Sequence, residues 1–114
     1  MLKSQRIYLN DIIDSINAII EYTSNLGEEN FSVHKMVQDA VLRRLTILGE
    51  AVKRLSLGFK QKHKEINWKI IAGSRDIIVH KYDGIDYSII WNVIIKDLPI
   101  LKEQIERIIQ EEDK

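Results

Sequence analysis

The sequence predicts an all-α fold, an up-and-down bundle of four to five helices. Two observations carry that prediction. One proline and five glycines in 114 residues leave few breakpoints and divide the chain into long segments of helical length. Within those segments apolar residues recur at steps of three and four, which draw a stripe on a 3.6-residue helix and would scatter on a strand.

The first helix follows from Leu9, Ile12, Ile13, Ile16, Ile19 and Ile20 and spans roughly residues 3–25, ending near Asn25 or Gly27. A second stripe, Val33, Val37, Val41, Leu45, Leu48, Val52 and Leu55, places a long helix over about residues 33–56, with Ser32 as its N-cap and Gly58 closing it. The basic stretch GFKQKHKEIN reads as a loop or a short helix with Phe59 turned inward. Asn67 can cap a third long element that starts at Trp68 and runs through WKIIAGSRDIIVHKY to the turn-forming pair Asp83-Gly84. Its isoleucines are strand formers by propensity, so a strand over residues 77–79 is the alternative there. The last element, residue 87 to about 110, carries Ile90, Trp91, Ile94, Ile95, Leu98, Leu101, Ile105, Ile108 and Ile109 on one broad face. Pro99 lacks the amide proton of the helix ladder and is expected to kink it, with Asp97 capping the restarted turn.

Length sets the scale: a chain of this size forms one domain, residues 1–114, and buries roughly two-thirds of its unfolded surface. Charged residues at 30% beside 45% hydrophobic ones exclude a disordered or fibrous chain. With no cysteine there is no disulfide framework, thiol nucleophile or cysteine-based metal site, which fits a reducing cytoplasm. The start, MLKSQRIYLNDIIDS, acquires carboxylates too early for a signal peptide, and no apolar run approaches the roughly 20 residues of a membrane span. No membrane association is expected.

Seventeen basic and seventeen acidic residues cancel, but their distribution is uneven. Residues 31–64 hold Lys35, Arg43, Arg44, Lys53, Arg54, Lys60, Lys62 and Lys64 against Asp39 and Glu50, a local net charge of +6. Such a run is either a solvated helix face or a guide for a phosphate backbone. Gly49-Glu50-Ala51, in mid-helix, reads as a close-approach point with Glu50 satisfying a cation. Trp68 and Trp91 read as core residues rather than base-stacking platforms, and Tyr87 as packing on the core.

Of three histidines, His34 and His63 lie in polar surroundings and are expected to face solvent, whereas His80 lies towards the end of the run RDIIVHKY, near the expected C-terminus of the third helix. Asp76 and His80 are four apart, so on a helix the carboxylate faces the ring and can hold one tautomer. Arg75 lies about 140° round the axis from His80 and need not meet it within one chain. A groove between two copies of the helix would bring both side chains together. An imidazole can take the proton of a ribose 2′-hydroxyl and return one to a leaving 5′-oxygen, while a guanidinium stabilises the charge on a phosphorane-like transition state. That chemistry needs neither metal nor cofactor. The same spacing also fits an arginine and a histidine at an ordinary helix end.

These residues and their flanks resemble the HepT group of HEPN-domain proteins, the ribonuclease toxins of HEPN/MNT toxin–antitoxin pairs. RDIIVHKY matches the R-x4-H-x-Y signature at Arg75, His80 and Tyr82, with Asp76 as the polar residue after the arginine. RRLTILGEAVKRLS (residues 43–56), INWKIIAGSRD, the YDGID turn and residues 91–99 follow in the family's order. The resemblance implies a homodimer with Arg75 and His80 from both protomers lining one cleft, and cleavage of cellular RNA, tRNA in some relatives. It also implies an MNT nucleotidyltransferase antitoxin that AMPylates Tyr82. A different class of function, a noncatalytic nucleotide-binding or scaffold partner of a nucleotidyltransferase, is the alternative that the neutral net charge leaves open.

Overall fold

A computed structural model describes residues 2–69, 71–72 and 84–112, and these are helical with no strand among them. Helix α1, Lys3–Thr23, turns Leu9, Ile12, Ile16 and Ile19 completely inward. Burying each such side chain contributes about 1.5–3 kcal/mol, which is why the stripe rather than helix propensity fixes this element. Its last turn closes on its own side chains: the Thr23 hydroxyl donates to the Ile19 carbonyl at 2.8 Å and the Ser24 hydroxyl to the Glu21 carbonyl at 3.0 Å.

A short helix α2, Glu28–Val33, then precedes α3, Lys35–Arg54. This corrects the single helix expected from residue 33 onward. Ser32 does not cap it; its hydroxyl donates to the Glu29 carbonyl at 2.6 Å, within α2. The cap is His34, whose Nδ1 accepts from the Val37 amide at 3.3 Å. Val33, counted in the apolar stripe, is 81% exposed because it belongs to the other helix. What α2 buries is Phe31, whose ring packs on Trp91 at 5.3 Å and edge-on against Tyr87 at 6.1 Å. The Phe31 carbonyl accepts from the buried Gln38 side chain at 2.8 Å, tying α2 to α3.

Helix α3 sends Val41, Leu45, Leu48 and Val52 into the core, where α1 is its main neighbour. It ends at Arg54, before Gly58, because Leu55 is extended and Ser56 caps a new helix by accepting from the Phe59 amide at 3.1 Å. That helix, α4, is Leu57–Lys62. Gln5 of α1 accepts from the Ser56 amide at 2.9 Å, so the corner between α3 and α4 is fastened to the first helix.

The C-terminal run is continuous: α5, Tyr87–Asn92, a π-helical turn, Val93–Asp97, and α6, Leu98–Glu112. Asp97 therefore caps nothing; Leu98 has helical dihedrals of −66° and −41°, and its amide donates to Val93, five residues back. A π turn is one way a helix accommodates the proline that follows, since it widens the ladder where an ordinary turn would crowd the ring. Ile90, Ile94, Leu98, Leu101, Ile105 and Ile108 are buried. Ile95 is not, at 53% exposed, because it lies roughly 100° round the axis from the centre of that stripe.

Candidate active site

Arg75, Asp76, His80 and Tyr82, and the alternative strand over residues 77–79, lie outside the described residues. The structure describes the two flanks of that segment and how each is attached to the core.

On the N-terminal flank Ile66 and Trp68 are buried, and Ile71 and Ala72 pack against the core. The Asn67 carbonyl accepts from the Ile71 amide at 3.4 Å, so the first turn begins where the sequence places it. The Trp68 indole donates to the His63 carbonyl at 3.0 Å, and its ring lies beside Phe59. Trp68 is thus a core residue, as expected. His63 is not the solvent-facing residue its polar neighbours suggested: it is 7% exposed, with its ring 4.7 Å from that of Phe59. Its Nδ1 lies 3.6 Å from Glu65 and its Nε2 3.7 Å from Glu112. His34, expected in solvent, is half-buried as the α3 cap.

On the C-terminal flank Asp86 caps α5. The Ser88 hydroxyl and amide donate to its carboxylate at 2.6 and 2.9 Å and hold it below the usual carboxylate range. Ile85 and Tyr87 pack on the core, Tyr87 through Phe31. The two flanks are therefore attached to the core by separate aromatic contacts.

Two of the clefts on the bundle are lined by several charged side chains. One, of about 650 Å³, follows α4 and residues 64–72; Val52, Ile66, Trp68 and Ala72 line its apolar part, and Lys60, Lys64 and Lys69 also line it. Lys69 lies beyond the basic run read from the sequence, whereas Lys62 turns elsewhere, onto Glu112 at 2.7 Å, and this hydrogen bond lowers the Glu112 pKa. The other, of about 280 Å³, lies between α1 and α3, where half-buried Glu50 faces Asp11, Arg43 and Arg54. Among the described residues no three histidine, aspartate or glutamate side chains gather as metal ligands, and no helix is long and apolar enough to cross a membrane.

The described residues form an all-helical bundle, and its class follows from similarity of sequence. The family model for HepT-like ribonucleases matches residues 12–108, and the chain belongs to that family. It is 47% identical over its whole length to a Methanocaldococcus jannaschii protein named "gamma-glutamylcyclotransferase and putative RNase", of which it spans 51%. It is 40% identical over 97% of its length to a "putative RNase" of Caldanaerobacter subterraneus subsp. tengcongensis, covering 99% of that protein. A "probable ribonuclease HepT" of Thermococcus cleftensis is 39% identical over 95% of this chain and 98% of its own. No solved structure gave a significant match.

Proposed function

We propose that the chain is a metal-independent endoribonuclease, a single HepT-like domain acting in the cytoplasm as the toxin of a toxin–antitoxin pair. The observation that carries this reading is the family match over residues 12–108, which spans the Arg75, His80 and Tyr82 signature. The names of its relatives support the ribonuclease assignment in particular.

In this mechanism His80 of one protomer accepts the ribose 2′-hydroxyl proton as that oxygen attacks the adjacent phosphorus. The P–O5′ bond breaks, and a protonated imidazole, His80 of the second protomer in a homodimer, donates its proton to the leaving oxygen. Arg75 offers a forked, permanently charged donor to the nonbridging oxygens, where charge accumulates. Asp76 holds the His80 ring in one tautomer. The products are a 2′,3′-cyclic phosphate and a free 5′-hydroxyl, with tRNA as one candidate substrate. An MNT nucleotidyltransferase antitoxin would silence the site by AMPylating Tyr82, since a nucleotide two residues from His80 fills the cleft and its phosphate competes for Arg75.

The test is incubation of the purified protein with total RNA and a tRNA pool in EDTA, beside Arg75→Ala and His80→Ala. Fragments ending in cyclic phosphate from the unmodified protein alone are expected. Equal cleavage by either variant, or none by folded protein free of AMP, would refute the reading and favour the noncatalytic nucleotide-binding or scaffold partner.

A further inference from the structure

We propose that the groove along α4 is the RNA-binding track of this protein, with Lys60, Lys64 and Lys69 holding the phosphate backbone of a single strand that continues to the Arg75–His80 segment. The inference rests on the ribonuclease reading for its destination and on the groove itself for everything else.

Three features of the groove carry it. Among the described residues its charge is one-sided: three ammonium groups line it against one carboxylate, Glu65. Those ammoniums come from three successive short pieces within ten residues of chain. Lys60 lies on α4, Lys64 in the turn after it, and Lys69 in the helical turn that starts at Trp68. They line an open cleft of about 650 Å³, which has room for a run of phosphates and not just a single small anion. The floor is preformed. Lys60 is fixed by donating to the Val52 carbonyl at 3.3 Å, and Trp68 is held by its bond to His63, while Lys64 and Lys69 are exposed and have no ion pair with a described residue.

The third feature is position. Ala72 is the last described residue that lines the groove before the motif, and Arg75 follows three residues later, a covalent reach of no more than about 11 Å. The chain itself therefore keeps Arg75 within that distance of the groove wall at Ala72. The even net charge of the whole chain conceals this, because the lysine that completes the track, Lys69, sits outside the basic run and Lys62 within it is paired with Glu112.

The experiment is equilibrium binding of a fluorescein-labelled 2′-O-methyl RNA, which lacks the attacking hydroxyl and so is bound without being cut. It is followed by anisotropy across a potassium chloride series. The variant is Lys64→Gln with Lys69→Gln, neither of whose side chains bonds to a described residue; the control is Lys35→Gln with Lys96→Gln, which removes the same charge away from the groove. Each lost phosphate contact reduces the log–log salt slope by about 0.7 on single strands, so a reduction near 1.4 and a roughly tenfold weaker low-salt affinity are expected for the groove variant. The control should match the unmodified protein. For cleavable RNA, KM should rise in the groove variant with kcat unchanged.

An unchanged slope, an equal loss in the control, or equally tight groove-dependent binding of polyglutamate would overturn the proposal and leave the ribonuclease reading standing. A reduced slope in a protein that cleaves no RNA would overturn the ribonuclease reading and leave the groove as an RNA site.

Discussion

Replacing Phe31 by alanine probes the element that sequence patterning did not show. Phe31 is the one buried residue of α2 and is completely inaccessible to solvent. Its ring touches Trp91 at 5.3 Å and Tyr87 at 6.1 Å. Truncating a buried phenylalanine costs about 3–5 kcal/mol, through lost transfer free energy and the cavity left behind. Two aromatic contacts, each worth about 0.5–1.5 kcal/mol beyond area, place this site at the upper part of that range. Against a total stability of roughly 6–17 kcal/mol for a chain of this length, the variant should remain folded at room temperature. Urea unfolding followed by far-UV circular dichroism should show the midpoint falling with no change in slope, and thermal unfolding should move down by roughly 10–20 °C. Met36→Ala, at a position 75% exposed on the next helix, is the matched control and should change stability by less than about 0.5 kcal/mol. A Phe31→Ala loss below about 1 kcal/mol would refute the packing of α2 between α3 and α5.

Ser15 is fully buried on α1 and its hydroxyl has no hydrogen-bond partner among the described residues, so Ser15→Ala should stabilise the protein by about 1 kcal/mol; a loss of that size in denaturant titration would show a hidden partner. Hydrogen bonds from Ser88 depress the Asp86 carboxyl below its ordinary value of 3.8 in the folded state. The cap's contribution is therefore fully present above that pH and is lost as pH falls through the lower folded value, so Asp86→Ala should destabilise at neutral pH and match the unmodified protein in strong acid. A penalty independent of pH would refute the charged cap. Trp68→Phe removes the indole donor from the buried His63 carbonyl, which still accepts from the Ile66 amide at 3.3 Å, and should cost about 0.5–1.5 kcal/mol, while lowering RNA cleavage at temperatures where the variant is folded; unchanged stability would refute the bond.

The long elements were legible because a helix that buries one face over five or six turns repeats its signal at every turn. The stripes on α1 and α3 and the C-terminal stripe from Ile90 to Ile108 each provide that redundancy. Where one residue decides, the signal fails. Ser32 and His34 are both plausible caps, and the choice was made by Phe31, whose burial demands a separate short helix ahead of α3. His63 sits among lysines and a glutamate, and only the tertiary stacking of Phe59 and Trp68 draws it inward. A π turn has no periodic pattern of its own; Pro99 announced a disturbance and not its form. The candidate site divides in the same way. The Arg75, His80 and Tyr82 signature is readable as a string, and so is the basic character of residues 60–64, but the grouping of Lys69 with Lys60 and Lys64 exists only once the chain has turned at Trp68.

That turn links packing to function. Trp68 contributes to the core, forms part of the groove lined by the three lysines, and begins a helical turn a few residues before Arg75 in the sequence. Tyr87, on the far side of the motif, reaches the core through Phe31. The flanks on either side of the segment proposed to carry the chemistry are thus held by two aromatic groups that share no residue. Weakening one should leave the other intact, so Trp68→Phe should loosen the N-terminal flank while amides of α5 keep their hydrogen-exchange protection, and Phe31→Ala should do the reverse. Coupled loss of protection at both flanks in either variant would mean that the segment and its supports unfold as one unit, and the separate roles assigned to the two aromatic groups would not stand.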